Sequence, residues 1–570
     1  MYSEIYKEWL ESGKLSKEEK AELAAIRDDE KEIEYRFGKE LEFGTAGMRG
    51  ILGMGTNMMN VYTVQRATQG LADYVKSSGR AAMKRGVVIA FDTRKNSRLF
   101  ANAAADVLAT NGVKTYLFGE VHPVPMLSFA VRRFKAAAGV MITASHNPKE
   151  YNGYKVYGAD GAQMSPEDTE KVVLRISEIA SCFSNKIKSG APEKGMLKTV
   201  GKSTDKAYYK TIGKLALSPA AVKKVGREIK LVYTPVHGSG YIPVTAILKK
   251  LGIKATLVEE QTAPDEAFST VRVPNPEFKE TLAAGIRLAD KIKADVVFGT
   301  DPDCDRLGVA VRDGKGEFVA LSGNQAGVLM LDYVLGRLKE KNALPENGFV
   351  AKSFVTTSMA KAIADDYGVE LVDVPVGFKF IGEKIKQFDD SGEKKFLFGF
   401  EESCGYLRGT HCRDKDAVVA SMLFAEMVCY YTAKGVGVYQ RLCDLYDKYG
   451  YCLDKNVSYN FGGIDAMKDM RAIVEGLKTK PIDKIDIYNV VAMRDYSKPA
   501  RITESGEEPL DIPKNDSVYY ELENGSFICV RPSGTEPKLK IYFSVKLKDF
   551  ASSEKAFEKL SAAMESIIGL

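Results

Sequence analysis

The sequence predicts an α/β protein, with three topologically similar mixed α/β domains followed by a smaller C-terminal α+β domain. Three observations predict it. Strand and helix patterns alternate over most of the chain, which implies βαβ units and parallel sheet. The same order recurs three times, and each time it ends on a strand followed by an unusual polar loop. The last stretch breaks the order, with strands around a glycine turn and then one closing helix.

The first unit begins with GVVIAFDTR (86–94), a buried strand running into a polar turn. LFANAAADVLATNG (99–112) reads as a helix ending at Gly112, TYLFG (115–119) as a strand, LSFAVRRFKAA (127–137) as a helix and GVMITA (139–144) as a strand. The second unit comprises IKLVYTP (229–235), a helix around VTAILKKLG (244–252), KATLV (254–258) and ADVVFGT (294–300). The third comprises GFVAKSFVTT (348–357), helix MAKAIADDYG (359–368), VELVDVP (369–375) and KFLFGFE (395–401). The tail, 520–549, reads as strands around a glycine turn, and 552–568 as a helix. These elements divide the chain into domains at 1–200, 201–315, 316–455 and 456–570.

Length and composition set the frame. At ~100–200 residues per domain, 570 residues make three to five domains. The 81 basic and 76 acidic residues leave a net charge of +5, too near balance to argue for nucleic acid or a membrane surface as partner. The first twenty residues are charged and helical in pattern, without the apolar core of a secretory signal. No window approaches the ~18 apolar residues of a membrane span. The eight cysteines are scattered without CxxC or zinc spacing, so all eight are expected as free buried thiols in a reduced cytoplasm.

Chemistry concentrates in the loops after the strands, where α/β sheets collect ligands. In 300-TDPDCDRLG-308, Asp301, Asp303 and Asp305 stand at alternate positions, on one side of the chain if it stays extended. Carboxylates that close repel unless a cation sits among them, and oxygen ligands suit Mg²⁺. The glycine and glutamate of a calcium-binding EF-hand are missing, while Arg306 follows directly and suits a phosphate. In 530-VRPSGTEPK-538, Arg531, Ser533, Thr535 and Lys538 flank Gly534, a set fit for an anion cradle or for a polar hairpin turn. In 398-FGFEESCGYLRG-409, Glu401 and Ser403 lie two apart, a spacing that suits two neighbouring sugar hydroxyls and equally a solvated loop. Arg49 and Arg94 add positive charge. In TASHNP (143–148), Ser145 has His146 beside it and Lys155 after a turn; it lacks the GxSxG frame of an esterase nucleophile, and a capping serine is the plainer role.

Taken in order, TASHNP with NGYK, DPDCDR, the EES loop and RPSGTEP resemble the α-D-phosphohexomutase superfamily, and within it the bacterial phosphoglucomutase/phosphomannomutase branch, which is similar to the glucose-1,6-bisphosphate synthase and phosphopentomutase group. The resemblance covers nearly the whole chain. It implies the four domains set around a central cleft, and a soluble cytoplasmic enzyme, monomer or homodimer, acting on small sugar phosphates. It implies a phosphoserine at Ser145, one Mg²⁺ on Asp301, Asp303, Asp305 and an oxygen of phosphorylated Ser145, and glucose 1,6-bisphosphate as intermediate and activator. By the same resemblance Arg306, His146 and Arg49 attend the reacting phosphate, Lys155 is the general acid/base, and Lys379 helps select the sugar face. Glu401 and Ser403 read sugar hydroxyls, and Arg531, Ser533, Gly534 and Thr535 hold the phosphate that is not reacting. The implied reaction interconverts glucose 1-phosphate and glucose 6-phosphate, with mannose phosphates as further substrates. The family's sugar loop usually reads GE-x-SG; here Phe400 precedes Glu401 and Cys404 separates Ser403 from Gly405, which leaves the sugar open. Phosphopentomutase, glucose-1,6-bisphosphate synthase and, from another class, a metal-dependent sugar phosphatase are the alternatives.

Overall fold

The structure, a computed structural model, describes residues 2–570 except 45–46, 463–464 and 534–536. It divides into two compact units. One comprises residues 1–311 and 405–430, the other 312–404 and 431–570.

The first unit holds two sheets. Seven strands build the larger: β1 (Phe43–Gly44), β2 (Gly47–Ile51), β3 (Val87–Phe91), β4 (Thr115–Phe118), β5 (Ala138–Ile142), β6 (Tyr151–Gly158) and β7 (Leu197–Val200), in the order β1-β2-β6-β5-β3-β4-β7. Strands β5, β3, β4 and β7 run parallel, as the alternating pattern predicts, and β6, β2 and β1 are added antiparallel. Every residue of β3 and β5 is buried, because helices cover both faces and a continuous apolar run is what such a strand needs. Helices Val61–Ser77 and Ser97–Thr110 pack on one face with Leu71, Val75, Phe100 and Leu108; helix Val124–Phe134 packs on the other with Leu127 and Val131. The segment after His146, expected as a turn, is one only as far as Glu150; the next eight residues form β6, and that strand carries Lys155 back along β5.

The second sheet contains β8 (Leu231–Thr234), β9 (Ala255–Leu257), β10 (Val296–Thr300) and β11 (Leu307–Arg312), with β10 parallel to β8 and antiparallel to β11. The apolar helix Ala417–Ala433 packs here, Phe424 meeting Phe298 edge-on at 5.8 Å between ring centroids.

In the second unit, strands Glu370–Val374, Gly348–Ser353 and Lys395–Glu401 run parallel in that order, with Gly348–Ser353 in the middle. Next comes an antiparallel sheet in which Tyr451–Asn460 pairs with Lys538–Leu547, and that strand with Phe527–Pro532 and onward to Val518–Leu522 and Tyr488–Asp495. Helices Ala466–Thr479 and Phe550–Ile568 cover its core of Ile528, Val530, Ile541 and Phe543. All eight cysteines are free. Seven are buried, and Cys443 departs from expectation in being partly exposed, on helix Val438–Tyr449.

Candidate active site

The loop after β5 is held in one shape from several sides. Ser145 sits in the left-handed region at φ 51°, rare for a residue with a Cβ. Its N–H donates to Thr143 Oγ1 at 2.8 Å, and the Thr143 hydroxyl donates to Asp92 Oδ2 at 2.6 Å. Asp92 Oδ1 in turn accepts from the Arg94 N–H and from the Ser97 hydroxyl. The Arg94 side chain, which the sequence offers only as nearby charge, is a buried brace. Its guanidinium donates to four carbonyls of the serine loop: Ser145 at 2.6 Å, Pro148 at 2.9 Å, Tyr151 at 3.0 Å, and Asn147. A planar fork with five donors suits this task, and no other side chain has one.

The aspartate loop differs from the extended run that alternate spacing suggests. Residues 301–305 form a turn, with Cys304 at φ 51°, and Asp301 Oδ1 accepts the N–H groups of Asp305 and Arg306 at 3.0 Å each. The three carboxylates still converge, because the turn folds them inward: one oxygen of each lies within 4.8 Å of the others. A second loop fixes this turn. Ser239 donates through both its N–H and its hydroxyl to Pro302 O, and Gly238 runs so close that a Cβ there would stand 2.6 Å from Pro302 Cα.

Both loops meet at Ser145. Its hydroxyl donates to Asp301 Oδ2 at 3.0 Å, and His146 Nδ1 lies 3.4 Å from the same Oγ. Lys155 pairs with Asp303 Oδ2 at 2.8 Å and lies 3.9 Å from Asp305. Arg306 is held by Glu277, and Arg49 on β2 donates to Asn147 Oδ1 at 2.8 Å. Sequence reasoning missed one cation: Lys415, which pairs with Asp305 and Asp414 at 3.1 Å each. Asp414 accepts from Tyr157, two residues along β6 from Lys155 and so on the same face. The only signal was a run of charge, RDKD (413–416), placed directly before an apolar helix.

The electrostatics argue for a divalent cation. Burial pushes the Asp301 carboxyl well up, reinforced by the Asp303 and Asp305 charges, and Asp305 rises for the same reasons. Burial would also raise Asp303, but Lys155 outweighs it and holds that carboxyl below the usual range. Asp303 Oδ1 and Asp305 Oδ1 are buried and accept no hydrogen bond among the described residues. Burying such atoms is costly unless something binds them. An all-oxygen set with free lone pairs fits Mg²⁺. The His146 imidazole is pushed well below its usual range, first by burial and then by the Arg306 and Arg49 charges, so it is neutral near pH 7.

In the second unit, Glu401 ends its strand and Oε1 accepts from the Gly377 N–H at 2.9 Å, where Gly377 has φ 123°. Ser403 follows in a turn closed by Cys404 at φ 61°. Glu402, passed over by the sequence reading, accepts from Ser353 and Thr356 at 3.0 and 3.3 Å. Lys379 stands in the first turn of helix Phe378–Ser391, which Gly377 caps. Burial lowers its ammonium, which lies 4.8 Å from the Phe380 ring centroid. Arg531 is the next-to-last residue of strand Phe527–Pro532, and Ser533 N–H donates to Lys538 O at 2.8 Å. Gly534 and Thr535 lie outside the described residues.

The fold and these loops define a phosphosugar-mutase class, and comparison with known proteins narrows it. The four families described as phosphoglucomutase/phosphomannomutase alpha/beta/alpha domains I, II and III and the C-terminal domain match residues 40–181, 206–315, 322–449 and 475–556. The chain is 35% identical to a phosphoglucomutase of Staphylococcus aureus over 92% of its own length and 93% of the relative's. It is 34% identical to one of Staphylococcus saprophyticus, over 93% and 95%. Among solved structures, the parafusin phosphoglucomutase of Paramecium in its open form matches at TM-score 0.69 and 18% identity, over 93% of this chain and 95% of that one. A phosphoglucomutase/phosphomannomutase family protein of Burkholderia thailandensis matches at TM-score 0.65 and 19% identity, over 92% and 97%. These two show likeness of fold. The chain belongs to the phosphoglucomutase/phosphomannomutase family, and is an enzyme of it. Among the described residues, no helix is long and apolar enough to cross a membrane.

Proposed function

We propose that the chain interconverts α-D-glucose 1-phosphate and glucose 6-phosphate through phosphorylated Ser145 and a glucose 1,6-bisphosphate intermediate. The observation that carries this reading is the Ser145 hydroxyl, fixed in a left-handed loop 3.0 Å from one of three buried, converging carboxylates. The four-domain division with limits near 200, 315 and 455 goes with this reading and is supported by the order of the matched families.

In the forward half, the bond from the Ser145 oxygen to phosphorus breaks and a bond from the free sugar hydroxyl to phosphorus forms. Lys155, the flexible ammonium beside the serine loop, gives its proton to the departing Ser145 oxygen and takes the sugar hydroxyl's proton in exchange. Arg306 neutralises the phosphoryl oxygens, the neutral His146 imidazole orients them, Arg49 adds a second positive charge, and Arg94 keeps the serine from recoiling. Asp301, Asp303 and Asp305 would hold one Mg²⁺, which when bound disperses the negative charge that builds on the transferring group. The bisphosphate then exchanges ends and returns the other phosphate to Ser145. For this the protein must hold the sugar in two orientations. Glu401 and Ser403 serve by reading hydroxyls common to both, Lys379 by choosing the sugar face, and Arg531, Ser533, Gly534 and Thr535 by gripping the far phosphate. Mannose phosphates are the next substrates by the same groups.

The test is a coupled assay of glucose 1-phosphate with Mg²⁺ and a trace of glucose 1,6-bisphosphate that follows glucose 6-phosphate and free phosphate together. Parallel runs use mannose 1-phosphate and ribose 1-phosphate. Isomer without free phosphate, lost in Ser145→Ala, is expected. Free phosphate with little isomer, or activity that survives the substitution, would replace the reading with a sugar phosphatase.

A further inference from the structure

Directly behind Lys415 lies a second group of metal-ligating side chains that the phosphoryl chemistry does not use. His411 Nε2, Cys412 Sγ and an oxygen of Asp416 converge within 4.8 Å. The separations are 2.7 Å from His411 to Asp416, 3.6 Å from Cys412 to His411 and 3.9 Å from Cys412 to Asp416. The three side chains are essentially removed from solvent. We propose that His411, Cys412 and Asp416 form a thiolate site for one Zn²⁺ or a similar thiophilic divalent ion.

Geometry supports it. A tetrahedral zinc with bonds of about 2.0–2.3 Å spaces sulfur from nitrogen or oxygen by about 3.6 Å, and nitrogen from oxygen by about 3.3 Å. The Cys412–His411 separation already matches, and the Cys412–Asp416 separation of 3.9 Å is about 0.3 Å longer. Only the His411–Asp416 hydrogen bond must open, by about 0.6 Å on the same geometry. The imidazole is free to make that change, because its Nδ1 is buried with no hydrogen-bond partner among the described residues and can carry the ring proton. Around the carboxylate the supporting shell is built. Tyr208 donates to Asp416 at 2.8 Å, and the N–H groups of Val418 and Val419 donate to its Oδ1 at 2.9 Å each.

Charge supports it too. Binding converts the Cys412 thiol to a thiolate and releases its proton to solvent; thiolate, carboxylate and dication then sum to zero in a buried place. Donor chemistry separates the two sites. Sulfur, nitrogen and one oxygen select zinc, and three carboxylates select magnesium. They are joined through one short segment, in which Lys415 touches Asp305 and its neighbour Asp416 is the proposed zinc ligand.

Cobalt replaces zinc with a visible signature. Full-length protein stripped of metal and held in excess Mg²⁺ is titrated with Co²⁺. A near-ultraviolet thiolate-to-cobalt charge-transfer band should saturate at one equivalent, vanish when Zn²⁺ is added, persist in Asp301→Asn and be absent in Cys412→Ser. His411→Gln, which can still donate to Asp416, should weaken Co²⁺ binding by more than about 100-fold, the upper end for losing a mere supporting group. Absence of the band in the wild-type protein, its survival in folded Cys412→Ser, or unchanged affinity in His411→Gln would each overturn the assignment. None of these readings depends on mutase activity, so failure here and failure of the proposed reaction are told apart.

Discussion

Replacing Arg94 by methionine should release the serine loop. Methionine keeps most of the volume, so the loss is of hydrogen bonds and charge. Four carbonyls, of Ser145, Asn147, Pro148 and Tyr151, lose their donor, and Asp92 loses the guanidinium 3.6 Å away. A hydrogen bond to a charged donor contributes about 1.5–3 kcal/mol, but four on one group are not additive. Breaking a buried pair by removing one partner costs about 3–5 kcal/mol, and that sets the scale for the loop. The Thr143 contact that also holds Ser145 depends on Asp92, which leaves the Ser145 hydroxyl on Asp301 and Arg49 on Asn147 as the remaining restraints. The loop is therefore expected to relax away from the aspartates, and a displacement of ~1 Å at a reacting atom costs about 100-fold in rate. Two measurements check this: isomer formation in the coupled assay, and amide hydrogen exchange across residues 144–152. Faster exchange confined to that loop with kcat down about 100-fold is expected. A kcat within about twofold of wild type, with unchanged exchange, would refute the brace.

Other outcomes follow from the same geometry. Asp303→Asn should lower kcat by about 10²–10³ and flatten the Mg²⁺ dependence, because a charge aimed at the transferring group is lost; titration of activity against Mg²⁺ checks it. Lys415→Met leaves Asp305 and Asp414 without their shared counter-charge and should destabilise the first unit by about 3–5 kcal/mol, read as loss of exchange protection in β6 and β10, with activity falling alongside. Asp454, whose Oδ1 is buried with no hydrogen-bond partner among the described residues, has its carboxyl pushed up to about 6 by burial, so the protonated form favours folding. Its stabilising contribution is present below the ordinary pKa near 3.8 and is lost as pH rises through about 6. Asp454→Asn is accordingly expected to stabilise the second unit by ~1–3 kcal/mol at pH 7.5 and by little at pH 4; thermal unfolding at both values checks the sign.

Much of this was readable from the chain. Strands such as 139–144 and 395–401 announce themselves because full burial on two faces needs an unbroken apolar run, and a polar loop straight after such a run stands out. Ser145 and the three aspartates were legible for that reason. What was not legible came from distance in sequence. Lys415 lies 110 residues after Asp305, yet they meet at 3.1 Å, and no local pattern announces such a partner. Glu277 on Arg306 is the same case. The aspartate loop shows a subtler limit. Alternate spacing suggested one face of an extended chain, but Cys304 in the left-handed region turns the backbone, and convergence comes from curvature.

These two kinds of residue divide the work of the site. In the proposed reaction the groups that touch phosphate must be few, polar and at strand ends, and so they cluster in short motifs. The groups that keep them in place must reach across the fold: Arg94 from β3 to the β5 loop, Gly238 and Ser239 under Pro302, Lys415 from a distant helix entry to Asp305. Three buried carboxylates within 4.8 Å repel, and the turn that bears them would open if left to itself. Lys155 and Lys415 restrain it from two sides, and the loop of Ser239 restrains it from below. The transfer proposed for Ser145, to a sugar and not to water, needs that rigidity in advance of substrate, because donors aimed early cost no reorganisation during transfer. The supporting cations and glycines thus belong to the catalytic design as much as the motifs do, and substitutions there should lower kcat with little change in KM.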